Sequence, residues 1–281
     1  MIYKTIQLSE KYPEATLTTY VSDDTPEMKM PPRQAIVVCP GGGYRFLSDR
    51  EAECIVKFYL AAGLNAFLLR YGILENAKDC APLIQAGLAI KHVREHAEEY
   101  NIDPEQVFIV GFSAGGHLAA SAGTIWNYPE AVAAMGNAPY GINKPTGTIL
   151  AYPVINGFEF AHKGTINNVC GSENPSDELR TKFSLEKQVS AETAPAFIWH
   201  TFEDAAVPVE NSLLYASALR EAGINFELHI YPHGPHGLSL ATEETWVGKP
   251  EYLRPEITTW AQMSVTWIKN FRKKPNRKEQ Q

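Results

Sequence analysis

The sequence has little of several features that would narrow its function at once. It contains four cysteines among 281 residues, and their spacing matches no metal-binding pattern. Scattered thiols of this kind are typical of a reducing compartment. No run approaches the ~20 apolar residues that a membrane-spanning helix needs, and the first ten residues lack the basic start and apolar run of a secretion signal. These absences predict a cytoplasmic protein with no metal site and no membrane anchor.

The chain also lacks an excess of positive charge. It has 25 lysines and arginines against 32 aspartates and glutamates, which gives a formal net charge of -7. Such a balance creates no field that would gather phosphate groups, so nucleic acids and anionic membranes are poor partners. A neutral or weakly charged small molecule fits better as a substrate, and the sequence leaves a homo-oligomer open.

The composition, in contrast, is that of an ordinary globular protein. Hydrophobic residues make up 44% and aromatic residues 11% of the chain, enough to cover both faces of a large sheet. A sheet wrapped by helices often reaches this length around one core, so we predict a single domain over residues 1–281. The polar stretch at about 157–193 has no regular helical pattern, which predicts an insertion or lid. The charged run 273–281 predicts a frayed tail.

Strand and helix patterns alternate along the chain. Short, continuous apolar runs predict strands that are buried on both faces, and segments with helical apolar spacing follow most of them. The predicted strands are 16–21, 34–39, 65–71, 107–111, 148–152, 196–200 and 226–231, and the predicted helices are 49–62, 82–100, 114–125, 209–222 and 257–271. The first strand is expected to be antiparallel. Because each parallel pair needs a crossover, this order predicts an α/β fold with a largely parallel sheet and helices on both faces.

The pentapeptide Gly111-Phe-Ser113-Ala-Gly115 lies between a predicted buried strand and a predicted helix. In that context a G-x-S-x-G sequence forms a nucleophile elbow, a sharp turn in which any large neighbour of the strained serine would collide. The helix that begins at Ala114 also directs its free N–H groups toward the serine. Outside this context the pentapeptide would be only a small-residue helix start, but here it predicts Ser113 as a nucleophile.

A serine hydroxyl needs a neighbouring base to take its proton, and after an elbow of this kind the base follows a late strand. The loop after the last predicted strand reads Pro-His-Gly-Pro-His-Gly and offers His233 and His236. We predict His236, because the glycines and proline around it form a turn that can bring the imidazole over the sheet edge. His233 remains an alternative.

The carboxylate that orients the base should follow the preceding strand, and Glu203 and Asp204 both do so. We predict Asp204, since it leads into the next helix and completes the order Ser, Asp, His. Its carboxylate would fix the histidine tautomer and stabilise the imidazolium that forms during catalysis. Glu203 is expected to be an exposed charge.

The glycine run Pro40-Gly-Gly-Gly-Tyr44 follows the second predicted strand. Glycines at this position let backbone N–H groups approach a developing oxyanion, so Gly42, Gly43 and Ala114 are the predicted donors. A dinucleotide-binding turn is the alternative, but the G-x-G-x-x-G register is absent and no acidic residue ends the next strand.

Four motifs in the chain are P-G-G-G-Y, D-P-E-Q-V-F-I-V-G-F-S-A-G-G-H-L-A, H-T-F-E-D-A-A-V-P-V and Y-P-H-G-P-H-G-L. Together they resemble the hormone-sensitive-lipase-like branch of the α/β-hydrolases, and within it the bacterial acetyl-esterases and acetyl-xylan-esterase-like proteins. One departure is Pro40, which stands where that branch usually has a histidine. The resemblance implies the α/β-hydrolase fold, removal of acetyl groups from sugars or short oligosaccharides, no metal and no organic cofactor.

The sequence therefore predicts a serine carboxylesterase for short acyl esters. Tyr44, Tyr140, Phe158 and Trp246 are candidates for a wall that stacks on a sugar ring, with ordinary packing as the alternative for each. Two other functions stay open. An amidase or peptidase of the same fold would use the same three side chains, and a catalytically silent binding module could retain the fold alone.

Overall fold

The computed structural model describes residues 1–25, 27 and 30–271, so the predicted tail at 273–281 lies outside the described residues. Within the described residues, eight strands form one sheet. The strands are β1 (Ile2–Gln7), β2 (Thr16–Val21), β3 (Arg33–Cys39), β4 (Asn65–Arg70), β5 (Ile102–Phe112), β6 (Thr148–Ala151), β7 (Ala196–Thr201) and β8 (Phe226–Tyr231).

The strand order across the sheet is β1-β2-β4-β3-β5-β6-β7-β8. β1 pairs antiparallel with β2, and β2 pairs antiparallel with β4. The other neighbouring pairs are all parallel, which confirms the predicted, largely parallel sheet with an antiparallel early strand. Because the chain passes from β3 to β4 on one side and then to β5 on the other, the order reverses at the centre. A crevice forms at the carboxyl ends of strands at such a point.

Helices cover both faces of the sheet. They are α1 (Glu53–Ala61), α2 (Ala81–Glu95), α3 (Ala114–Thr124), α4 (Pro129–Ala134), α5 (Lys163–Cys170), α6 (Asp177–Lys182), α7 (Glu210–Glu221) and α8 (Thr259–Asn270). Buried residues of α2, α3 and α7 pack on one face, and those of α1 and α8 pack on the other. The apolar run of β3 is continuous because the strand is buried on both faces. Ala35 and Val37 pack on the face that carries α2, α3 and α7, whereas Ile36 and Val38 pack on the face that carries α1 and α8.

The structure differs from the predicted elements in a few places. Strand β1 carries exposed and half-buried residues in alternation, so it has no continuous apolar run that would reveal it. Helix α2 ends at Glu95, five residues before the predicted end. The stretch 157–193, whose sequence has no regular helical pattern, contains α5 and α6, and both helices are too short to show such a pattern. Side chains of His162 and Ser176 cap them instead.

The single domain with an insertion or lid at about 157–193 stays a prediction, as does the cytoplasmic location. Among the residues that the structure describes, no helix is long and apolar enough to cross a membrane.

His117, on helix α3, is fully buried. His117 has no exposed surface, and its Nε2 lies 3.0 Å from the carbonyl oxygen of Phe183. That oxygen can only accept, so Nε2 carries the proton and Nδ1 accepts a hydrogen bond from the Tyr44 hydroxyl at 3.0 Å. Burial lowers the pKa of His117 to about 4, although the hydrogen bond to Phe183 opposes the shift.

From the lowered pKa of His117 we predict that the folded protein loses stability in mild acid. The unfolded chain binds a proton at His117 near pH 6.5, whereas the folded protein resists it down to about pH 4, so stability falls as the pH drops between these values. The expected loss is on the order of 3 kcal/mol, since each pH unit is worth about 1.4 kcal/mol. Urea denaturation at pH 7 and pH 4 would measure it. A His117→Gln variant should show a clearly smaller loss over this range, and an equal loss would contradict the prediction.

Candidate active site

Ser113 lies at the sharp turn between β5 and α3. Its backbone has φ 54° and ψ -115°, a left-handed conformation that non-glycine residues rarely adopt. The two glycines of the pentapeptide make the turn sterically feasible. A Cβ on Gly111 would lie 1.9 Å from the carbonyl oxygen of Gly115, and a Cβ on Gly115 would lie 2.2 Å from the carbonyl oxygen of Cys39. The local sequence therefore permits a strained serine whose Oγ stands above the sheet.

The structure brings Ser113, His236 and Asp204 together. His236 Nε2 lies 2.8 Å from Ser113 Oγ, and His236 Nδ1 lies 2.6 Å from Asp204 Oδ2. The three residues follow β5, β8 and β7, whose carboxyl ends meet at the same edge of the sheet. Since the carboxylate accepts the Nδ1 proton, the Nε2 atom is free to accept the serine proton. This arrangement can transfer a proton from the hydroxyl to the imidazole.

Asp204 is held as an ionised acceptor. Its Oδ1 accepts hydrogen bonds from the backbone N–H groups of Ala206 at 3.0 Å and Val207 at 2.9 Å. The Nε2 of the buried His200 lies 3.3 Å from Oδ2. Burial would raise the pKa of the Asp204 carboxyl, but the hydrogen bonds from His200, His236 and Val207 outweigh it and hold the pKa well below its usual value. The carboxylate therefore stays charged under ordinary conditions.

The alternative base, His233, lies outside this arrangement. Its Nδ1 contacts Glu203 Oε1 at 2.8 Å, and the two side chains are 65% and 52% exposed. The hydrogen bond from His233 and a second one from the Gly234 N–H lower the pKa of Glu203. Glu203 is thus an exposed charge, as the sequence predicted. It forms a surface pair with His233, beside the pair of His236 and Asp204.

The predicted oxyanion donors are the N–H groups of Gly42, Gly43 and Ala114. Gly42 and Gly43 line the same cavity as Ser113. Ala114 is the first residue of α3, so its N–H has no acceptor within that helix. The glycine loop is fixed from both sides: the N–H of Phe46 donates to the Gly42 oxygen at 3.2 Å, and the Asn168 amide donates to the Gly43 oxygen at 2.8 Å.

The cavity beside Ser113 has a volume of about 460 Å³. Besides the residues already described, its lining includes polar side chains and two rings that the sequence did not single out. These are Arg45, Phe46, Arg50, His162, Asn168 and Tyr252. A larger cavity of about 620 Å³ lies beside Tyr12 and Asp79, but among the described residues that line it there is no serine, cysteine or histidine. The smaller cavity is therefore the candidate active site.

None of the four aromatic residues predicted to stack on a sugar lines this cavity. The Tyr44 ring is buried in the core, where its hydroxyl contacts His117. Tyr140 precedes β6 and packs edge-on against Trp126, at the end of the sheet opposite the nucleophile. The Phe158 ring is covered by Lys187, whose Nζ lies 3.6 Å from the ring centroid. Trp246 is half-buried beyond the cavity wall. The rings in the wall are those of Phe46 and Tyr252 instead.

His162 is a further cavity residue that the sequence analysis did not single out. Its Nδ1 caps α5 by accepting a hydrogen bond from the Thr165 N–H at 3.3 Å. Burial lowers the pKa of His162, and the nearby His236 lowers it further. Because Nδ1 accepts the hydrogen bond from Thr165, the neutral ring carries its proton on Nε2, where it can serve as a hydrogen-bond donor. The sequence signal that could have indicated His162 is its position three residues before Thr165, because the side chain at a helix N-cap accepts a hydrogen bond from the N–H of such a residue.

No residues in the described part of the chain form a group of three or more histidines, cysteines, aspartates or glutamates that could hold a metal ion.

The parallel sheet with its central order reversal, the elbow serine and the adjacent histidine and carboxylate define the class of α/β-hydrolases. The comparisons with known proteins agree. A family model named BD-FAE matches residues 24–219, and the chain therefore belongs to the BD-FAE family. The relatives and solved structures described next confirm the predicted resemblance to the hormone-sensitive-lipase-like branch of that fold.

Two curated relatives are named for enzymes that act on xylan or its esters. Endo-1,4-beta-xylanase B of Butyrivibrio fibrisolvens is 39% identical over 77% of this chain and 34% of its own length. An acetylxylan esterase of Xylanibacter ruminicola is 34% identical over 82% of this chain and 45% of its own length. The chain thus spans between a third and a half of these relatives.

Solved structures match over nearly the whole chain. An acetyl ester-xyloside bifunctional hydrolase from Caldicellulosiruptor lactoaceticus superposes with a TM-score of 0.78 at 34% identity, covering 95% of this chain and 96% of the other. A carboxylesterase from Lactobacillus plantarum superposes with a TM-score of 0.81 at 28% identity, covering 96% of each chain. Both are similar to this chain in fold and length.

Proposed function

We propose that this protein is a serine carboxylesterase that removes acetyl groups from sugars or short xylo-oligosaccharides. The observation that carries the proposal is the hydrogen-bonded line from Ser113 through His236 to Asp204, which opens onto a cavity. A hydroxyl, an imidazole and a buried carboxylate in this order are the components of acyl transfer to serine.

The reaction proceeds through an acyl-enzyme. Ser113 Oγ attacks the ester carbonyl carbon while His236 Nε2 takes the hydroxyl proton, and Asp204 stabilises the imidazolium. The C–O bond to the alcohol then breaks, and His236 returns the proton to the departing oxygen. In the second half, water attacks the acyl carbon while His236 Nε2 takes one of its protons. The bond between the acyl carbon and Ser113 Oγ then breaks, His236 returns the proton to Oγ, and the acetic acid that leaves ionises to acetate.

The developing oxyanion would be held by the N–H groups of Gly42, Gly43 and Ala114. Gly42 and Gly43 lie on the glycine loop that lines the cavity with Ser113, and Ala114 is the first residue of α3. Fixed donors at this position stabilise charge that appears only in the transition state, and the loss of one typically lowers kcat by about 10²- to 10³-fold.

Two features of the cavity support a small acyl group on a sugar. The volume of about 460 Å³ must hold both the acyl and the alcohol parts of the ester, and most lining side chains are polar or charged. His162 and Asn168 offer donors to hydroxyl groups, while Phe46 and Tyr252 offer ring faces for stacking. The names of the two xylan-related relatives favour an acetylated xylo-oligosaccharide over other esters. We further propose that the segment 157–193 covers this cavity, since His162 and Asn168 belong to it.

The acyl-length preference tests this proposal. We expect kcat/KM to fall by about tenfold or more from p-nitrophenyl acetate to the octanoate ester, because each poorly accommodated methylene group costs binding free energy in the transition state. Initial rates for acetate, butyrate and octanoate esters would measure the trend, and acetate release from acetylated xylo-oligosaccharides would test the alcohol part.

Other results would point to the alternative functions. Faster hydrolysis of peptide or formamide substrates than of acetyl esters would favour an amidase. A folded protein that resists stoichiometric labelling by a fluorophosphonate would favour a silent binding module, and equal rates for all acyl lengths would exclude the short-acyl preference.

A further inference from the structure

A buried glutamate lies beneath the glycine loop. Glu51 is only 3% exposed, and its Oε2 accepts a hydrogen bond from the Gly41 N–H at 2.8 Å. Its Oε1 lies 2.7 Å from the hydroxyl of Tyr152, which is also buried. A buried carboxylate costs stability unless its hydrogen bonds are satisfied, so both contacts are needed to keep Glu51 there.

The direction of each hydrogen bond in this group is fixed. The backbone N–H of Ser239 donates to the Tyr152 hydroxyl oxygen at 2.9 Å. The hydroxyl therefore donates its own proton to Glu51 Oε1, since a carboxylate oxygen is an acceptor. Both oxygens of Glu51 thus accept a hydrogen bond, and burial raises the pKa of Tyr152 well above its usual value so that it keeps its proton.

The hydrogen bonds of Glu51 and Tyr152 reach two different loops of the active site, one through Gly41 and the other through Ser239. Gly41 begins the glycine loop, and a Cβ on it would lie only 3.1 Å from the Cβ of Ser113. Ser239 lies three residues after His236. The Tyr152 ring also packs edge-on against the His236 ring, with 5.1 Å between centroids and an interplanar angle of 71°. The glycine loop and the histidine loop are thus joined through two side chains.

The sheet order explains why Tyr152 can make this link. It follows β6, which lies between the strand before Ser113 and the strand before Asp204. Its backbone has φ 38°, a strained value for a residue with a side chain. Strain of this kind persists only where the surrounding contacts enforce it, and it is concentrated at functional sites.

Building on the proposed esterase function, we propose that Glu51 and Tyr152 are positioning residues that hold the oxyanion donors and the histidine in one rigid geometry. Glu51 acts through the Gly41 N–H, and Tyr152 acts through Ser239 and the His236 ring. Donors fixed in advance stabilise the transition state more than the bound ester, so the pair should raise kcat while leaving KM nearly unchanged.

The test uses Glu51→Gln, Tyr152→Phe and the double variant. In Glu51→Gln, the amide NH₂ cannot accept the hydrogen bond that a carboxylate oxygen accepts, and Tyr152→Phe removes only the hydroxyl. We expect each to lower kcat for p-nitrophenyl acetate by about 10- to 100-fold with KM within about twofold. The inhibition constant of a trifluoromethyl ketone, which forms an oxyanion on the serine, should rise by the same factor. The double variant should be little worse than either single one, because both break the same connection.

Two matched controls separate positioning from general stability. Glu186→Gln changes a half-buried glutamate, which contacts Asn156, and Tyr215→Phe removes the hydroxyl of a buried tyrosine that contacts Thr124. Both should leave kcat and the inhibition constant within about twofold. Unchanged kcat and ketone affinity in folded Tyr152→Phe would overturn the proposal, and this variant alone decides if Glu51→Gln does not fold. A wild-type protein without esterase activity or fluorophosphonate labelling would instead refute the proposed function itself.

Discussion

Replacing Ser113 with alanine should lower kcat for p-nitrophenyl acetate by a factor on the order of 10⁵. The hydroxyl contacts His236 Nε2 at 2.8 Å and is the only atom that the substitution removes, so the fold should persist while the nucleophile is lost. Initial rates would measure the loss, and mass spectrometry after fluorophosphonate treatment should show labelled wild type and unlabelled variant.

A second serine in the same helix gives the control for this variant. Ser121 is buried, and its hydroxyl donates to the His117 carbonyl oxygen at 2.8 Å. Ser121→Ala should keep kcat within about twofold of the wild type, because this hydroxyl is used within α3 and not in the cavity. Undiminished turnover by Ser113→Ala would eliminate Ser113 as the nucleophile.

Replacing Asp204 with asparagine should lower kcat by about 10⁴-fold. The amide oxygen would keep the hydrogen bonds from the Ala206 and Val207 N–H groups, which leaves the NH₂ group facing His236 Nδ1. Nδ1 would then accept a hydrogen bond, and the proton would move to Nε2. An imidazole in that tautomer cannot take the proton of Ser113. Steady-state kinetics with p-nitrophenyl acetate would measure the fall.

The exposed pair beside Asp204 provides the control. Glu203→Gln and His233→Ala alter a carboxylate and a histidine that contact each other at 2.8 Å, in the same two loops. Because both side chains are exposed and neither contacts Ser113, each variant should keep kcat within about twofold. If His233→Ala were as damaging as Asp204→Asn, the assignment of the two histidines would have to be reversed.

The fold could be predicted in large part because its strands are buried on both faces. That burial produces continuous apolar runs, and the helices between the strands show their own spacing. The positions of Ser113, Asp204 and His236 followed from the same pattern, since each residue lies in the turn or loop after a predicted strand. β1 could not be found in this way, because an edge strand with one exposed face lacks a continuous run.

The walls of the cavity were harder to predict. His162 and Asn168 reach it from α5, a short helix whose position depends on local caps and tertiary contacts. Tyr44 was one candidate for the wall, with ordinary packing as the alternative, and its ring is buried in the core against His117. Glu51 appears in the sequence as one charged residue among several, and only the contacts with Gly41 and Tyr152 distinguish it. Such roles depend on the three-dimensional packing of residues distant in sequence.

The segment 157–193 supplies part of the cavity wall but none of the residues that carry the proposed chemistry. His162, Gly164 and Asn168 come from it, whereas the nucleophile, the base, its carboxylate and the glycine loop lie elsewhere in the chain. We therefore expect that insertions or exchanges in this segment would change which alcohol the proposed esterase accepts without altering the reaction itself. Evolution could diversify the specificity of this scaffold, and a protein engineer could do the same, by varying one contiguous stretch of the gene.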